Sequence, residues 1–205
     1  MALKKKIERF QIDSLLKRLA KLGHAIPESI EETERPDFIL RLAREQIGLE
    51  TTRAVYQEHI RADKLQQMHY PNECIITMNL MDRTRRRSND EILGDMLSIE
   101  SPWKDCEQDM RDWQDKVSRS LTTKREKLNQ PDFRVFDRNW LLIYDEPGLA
   151  NDAFTFDRAC RHLATTFCVQ SRHPRDYDAV FVLSHRYLFR WQGNVLSLHY
   201  DRKGA

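Results

Sequence analysis

At 205 residues the chain is long enough to bury one substantial core, and 40% hydrophobic against 32% charged residues is the balance of an ordinary globular fold. Lys and Arg number 34 against 32 Asp and Glu, so the formal charge of +2 excludes any argument for nucleic-acid binding from overall charge and leaves only local ones. With 6 glycines and no Gly-rich loop to cradle phosphates, the sequence argues against a nucleotide-driven enzyme, and no apolar window approaches the roughly 18 residues of a membrane span.

Leu3, Ile7, Phe10, Leu15, Leu19 and Leu22 recur at mostly three- and four-residue steps and predict an amphipathic helix ended by Gly23. Its basic start, Lys4-Lys5-Lys6, is followed by Glu8, Gln11 and Asp13, which interrupt what a signal peptide would need, so the expectation is a cytoplasmic protein. Between His24 and Glu34 four glutamates and Pro27 read as a solvated acidic linker with no clear strand.

Pro36 opens the apolar run Phe38-Ile39-Leu40, the polar stretch Arg41 to Gln46 turns the chain, and Ile47 to Thr52 forms a second run, which together predict a hairpin. Asp37 then lies at the mouth of one strand and Glu50 in its neighbour, so their carboxylates can converge as oxygen ligands for Mg²⁺.

Val55, Tyr56, Ile60 and Leu65 suit a helix, and Cys74 to Leu80 reads as a buried strand that pairs parallel to the Glu50 strand, giving a mixed αββαβ core. Arg83, Arg85, Arg86 and Arg87 follow directly, and arginine forks suit phosphate oxygens as well as they suit a solvated loop. Ser101-Pro102 caps a long helix reaching Lys127, whose stripe Trp103, Cys106, Met110, Trp113, Val117, Leu121 and Leu128 packs on the sheet or extends as a homodimer arm. Phe133 to Tyr144 reads as a strand pair or one bent strand, Phe154 to Val169 as a helix, and the segments 179–183, 187–192 and 195–200 as strands, with Gly193-Asn194 signalling a C-terminal antiparallel hairpin.

The Pro36-Asp37 and Glu50-Thr51-Thr52 segments resemble the PD-(D/E)xK nuclease superfamily, restriction-endonuclease-like proteins whose motif sets Pro-Asp at one strand and Glu-x-Lys in the next, with Thr52 standing where the lysine belongs. The resemblance implies an α/β (α+β) single domain over residues 1–205, with the core motif in 1–82 and residues 83–205 elaborating it, and a bacterial source. It further implies Mg²⁺ or Mn²⁺ held by Asp37, Glu50 and the Thr51 carbonyl, and phosphodiester cleavage in DNA or RNA. Thr52 or Lys64 would position the attacking water, with Gln57 a further candidate and Glu8 or Asp13 an added acid. The alternatives are a catalytically inactive module of the same fold that binds nucleic acid or protein, and a purely structural dimer.

The tripeptide recurs at Pro131-Asp132-Phe133, followed by Asp145-Glu146 at the same offset, but Pro147-Gly148 marks that acidic pair as a solvated turn. Cys74, Cys106, Cys160 and Cys168 match no zinc spacing even with His162, so reduced thiols and no structural zinc are expected. Ser184-His185, near Asp176 and Asp178, lacks the Gly-x-Ser-x-Gly elbow of a serine hydrolase.

Overall fold

The computed structural model describes residues 3–55, 57–71, 87–97, 106–145, 153–168, 174–184 and 186–200. The chain packs as two compact units, one from Met1–Ala54 with Met110–Ala205, the other from Val55–Asp109.

The larger unit is a seven-stranded mixed sheet whose spatial order follows the chain: β1 (Ser29–Glu32), β2 (Phe38–Arg41), β3 (Gln46–Arg53), β4 (Arg138–Tyr144), β5 (Ala179–Leu183), β6 (Tyr187–Gln192) and β7 (Val195–Tyr200). The first three strands run antiparallel, β3, β4 and β5 are parallel neighbours, and β5 to β7 are antiparallel again. The mixed α/β expectation holds at this level.

One face carries α1 (Leu3–Lys21), whose Ile12, Leu15, Leu16 and Leu19 bury against Phe38, Leu40, Leu49, Leu142, Phe181 and Leu188. Phe10 and Leu22, counted with the apolar stripe in the sequence, are exposed, because the true stripe is rotated toward Ile12 and Leu16. Across the sheet, α4 (Cys106–Leu128) and α5 (Ala153–Cys168) bring Met110, Trp113, Val117, Leu121, Leu128, Leu163 and Phe167 onto Leu141, Ile143, Val180 and Val182. Strands between two helical layers must be apolar on both sides, hence the fully buried run Ala179 to Leu183.

Two expectations change. The acidic segment after Pro27 contains β1, an edge strand whose exposed Glu31 is paired to Arg41 of β2, so charge replaces the apolar pattern that would have revealed it. The parallel neighbour of β3 is β4, so the place expected for Cys74 to Leu80 is occupied; that segment lies outside the described residues. The β-sheet therefore draws its second half from beyond residue 82.

The smaller unit contains α2 (Gln57–His69) and α3 (Asn89–Met96), with Ala62, Leu65, Ile92 and Met96 forming its buried cluster. Ser88 caps α3 in a reciprocal box with Glu91. Among the described residues no helix is long and apolar enough to cross a membrane.

Candidate active site

The hairpin register explains the placement of the two acids. Phe38 pairs with Leu49 and Ile39 with Gly48, and one further step along the same register sets Asp37 opposite Glu50. Leu49 points to the α1 face, so Glu50 points to the α4 face, beside Leu141 of β4.

Asp37 lies just beyond the end of β2 and is buried. Its Oδ2 accepts the Thr51 amide at 2.8 Å and the Thr51 hydroxyl at 3.1 Å, so the side chain continues the ladder where the β2 backbone leaves it. The Arg35–Pro36 peptide ahead of it is cis, and the Thr33 amide donates back across the turn to the Asp37 carbonyl at 2.9 Å. Close packing supports this corner: a Cβ on Gly48 would stand 2.7 Å from Phe136 Cδ2 and 3.0 Å from Pro36 Cγ. Only a residue without a side chain lets both rings lie this near β3.

Glu50 is fully buried, and both lysines of the α4 segment Lys124-Arg125-Glu126-Lys127 reach it. Lys124 Nζ donates to Oε1 at 2.5 Å and Lys127 donates to the same oxygen, while Oε2 is buried and accepts no hydrogen bond. A buried carboxylate needs compensation of this kind, because its charge would otherwise be left in a low-dielectric interior. Tyr177 lies over the same region. Burial first, then the charges of Glu50 and Asp37, push its hydroxyl well above the usual tyrosine range, so it remains a hydrogen-bond donor.

The sequence reading located Asp37, Glu50 and Thr51, which the fold brings together. Thr52 is half-buried on β3 and pairs with Ile143, on the Glu50 face of the strand. Lys64 is exposed on α2 in the smaller unit, and the cations at Glu50 are instead Lys124 and Lys127. Of the two acids of α1 expected as an added ligand, Glu8 is buried, 3.9 Å from Lys5 Nζ, and Asp13 pairs with Arg9. Arg83, Arg85 and Arg86 lie outside the described residues. Arg87 is buried and ion-paired to Asp95, with its carbonyl accepting Arg61 Nη1 at 2.9 Å, a structural role in place of the exposed fork expected.

Asp145, read as part of a solvated turn, is buried and accepts Trp113 Nε1 at 2.7 Å and the Tyr187 hydroxyl. Among the described residues no three His, Cys, Asp or Glu side chains converge, so the site is a pair of acids with backbone and lysine partners.

The lysines did have a sequence signal. Lys124 stands three residues after Leu121 and four before Leu128, on the apolar stripe of α4, where an exposed charge does not belong. No family model, curated protein or solved structure matches the chain.

Proposed function

We propose that the chain is a metal-dependent nuclease-like protein that cleaves phosphodiester bonds in DNA or RNA, with lysines of α4 taking the place of the missing strand lysine. The observation that carries this reading is the convergence of Lys124 and Lys127 on Glu50, next to a second buried acid, Asp37. The succession of α1, an antiparallel β1–β3 meander and a parallel β4, with acids at the mouth of β2 and within β3, supports a restriction-endonuclease-like core.

The residues present suit a small, hard dication. Glu50 Oε2 is a buried oxygen with no donor, and Asp37, buried one step beyond the last β2–β3 pair, holds Thr51, the residue after Glu50. Asp37, Glu50 and the Thr51 carbonyl, on the strand edge whose amide reaches Asp37, would hold Mg²⁺ or Mn²⁺. When bound, such an ion neutralises phosphate charge and lowers the pKa of a water. The chain's own part is positional: the hairpin fixes the acids, and the two ammonium groups offer N–H donors to a water or to the charge that develops on phosphate oxygens.

The lysine pair also favours a second reading, an inactive nucleic-acid-binding or protein-interaction module, because it already neutralises Glu50 without any ion. Incubation with single- and double-stranded DNA and RNA in Mg²⁺ or Mn²⁺ separates the two. Cleavage abolished in Asp37→Ala and Glu50→Gln supports the nuclease. Cleavage that survives Asp37→Ala excludes this site, and salt-sensitive binding without cleavage in either metal establishes the module.

A further inference from the structure

On the opposite face of the sheet from Glu50, Arg190 follows Leu188 in the alternation of β6 that points toward α1. The β7 residues opposite them are Ser197 and His199, so the His199 side chain shares that face. His24 arrives from the end of α1. Gly23, at φ +80°, donates to the Ala20 carbonyl at 3.0 Å and His24 to the Leu19 carbonyl at 3.0 Å, a closure that pins His24 directly past the last turn.

Arg190 Nη1 meets His24 Nε2 at 2.7 Å, its Nη2 donates to Gln192 Oε1, and its Nε is buried with no acceptor. Both contacts are to neutral groups, and among the described residues no carboxylate is paired with this guanidinium. A half-buried arginine is always charged, and its planar fork matches carboxylate or phosphate oxygens. The neighbours do not offset this charge: burial and the Arg190 charge both lower the pKa of His24 and of His199, which keeps the imidazoles neutral beside the guanidinium.

We propose that Arg190, His24 and His199 form a binding site for a phosphate-class oxyanion, either a free phosphate or a backbone phosphodiester. A tetrahedral oxyanion has enough oxygens to take guanidinium N–H groups together with imidazole N–H groups, and its charge supplies the counter-ion that Arg190 lacks and favours protonation of both imidazoles. The site stands on a different face from Asp37 and Glu50 and does not depend on cleavage.

The test follows the imidazole resonances of the full chain by NMR while inorganic phosphate, and separately a single-stranded oligodeoxynucleotide, is titrated in at constant ionic strength. Saturable shifts of His24 and His199 are expected, with both titration midpoints moving up because an anion favours the imidazolium. Affinity should fall about tenfold or more in Arg190→Gln and less in Arg190→Lys, which keeps the charge and loses the fork. A response to phosphate itself assigns a free oxyanion, and one to the oligonucleotide alone assigns the backbone diester. His199→Gln, which leaves the Arg190–His24 contact intact, should weaken binding as well. No shift with either probe, shifts that chloride reproduces, or shifts unchanged in the Arg190 and His199 variants would overturn the proposal.

Discussion

The Tyr177 hydroxyl donates to the Lys124 carbonyl at 2.9 Å, joining residues 53 positions apart. It belongs to a strap of three consecutive residues ahead of β5. Asp176 takes Arg125 in a two-pronged contact at 2.8 and 2.7 Å, and the Arg175 backbone exchanges bonds with the Asn129 amide at 3.0 and 3.1 Å. The last turns of α4 are thereby held in one register above β3, which is what brings both ammonium groups to one oxygen of Glu50.

Replacing Tyr177 by Phe removes that donor and should cost about 1 kcal/mol in denaturant unfolding, the net worth of a typical hydrogen bond. The pH dependence carries a more specific signature. Folded Tyr177 keeps its proton far above the ordinary value of 10.0, whereas the unfolded chain releases it there. Stability from this group is therefore complete below pH 10 and declines above it, by up to about 1.4 kcal/mol per pH unit. The Phe variant should show a shallower alkaline decline than the parent, and equal slopes would refute the assignment.

The lysine pair predicts strong non-additivity. With Lys124→Ala or Lys127→Ala alone, the remaining ammonium still compensates Glu50, and a loss near 1 kcal/mol is expected. The double variant leaves a fully buried, unpaired carboxylate, which costs roughly 3–5 kcal/mol. Adding Glu50→Gln to the double variant should restore much of that. A double-mutant cycle by chemical denaturation reads all three, and simple additivity would mean that Glu50 does not need the lysines.

How much was legible in the sequence follows the range of the interactions. Asp37 and Glu50 belong to one hairpin, where turn length fixes register, and alternation then fixes which side chains share a face. Lys124 and Lys127 reach Glu50 across 74 and 77 positions, a distance over which no local pattern specifies pairing. Likewise an apolar run predicts a buried strand without naming its neighbour, so Cys74 to Leu80 could be assigned the place that Arg138–Tyr144 occupies. Asp145 was read from the Pro-Gly that follows it, while its environment comes from Trp113 and Tyr187, 32 and 42 positions away.

That network makes Asp145 a test of burial against chemistry. Asp145→Ala strands the Trp113 and Tyr187 donors in the core and should cost about 2–4 kcal/mol. Asp145→Asn keeps an acceptor oxygen and should cost less. Thermal or denaturant midpoints that rank the two variants the other way would contradict the described hydrogen bonds.

Gly48→Ala should be costly for a different reason, since the new methyl meets Phe136 at 2.7 Å, Pro36 at 3.0 Å and Asn139 Oδ1 at 3.3 Å. Neither ring can retreat freely: Pro36 is buried, and Phe136 is tied through its amide and carbonyl to the Asn139 side chain. Overpacking of this kind costs about 1–3 kcal/mol. The displacement would also be felt at Asp37, which follows Pro36, so any cleavage activity should drop even where the variant remains folded. Full activity with full stability would show that the corner is looser than drawn.

The last prediction concerns acid. His162 sits between α4 and α5 with Nε2 3.1 Å from Ser118 Oγ and 3.2 Å from Thr166 Oγ1, its ring edge-on to Trp113. Burial lowers its pKa, and this outweighs the opposing hydrogen bond with the Gln114 backbone. The unfolded chain thus takes up a proton near the ordinary 6.5 while the folded chain still resists it. By linkage, the stability due to His162 is fully present above that pH and is lost as the pH falls toward the folded value. His24 and His199, also lowered, contribute with the same sign. Denaturation midpoints should therefore fall between about pH 7 and pH 5, and His162→Gln, which retains a hydrogen-bonding amide, should reduce that slope without abolishing it. A slope unchanged in the variant would show that acid sensitivity originates elsewhere than in the α4–α5 interface.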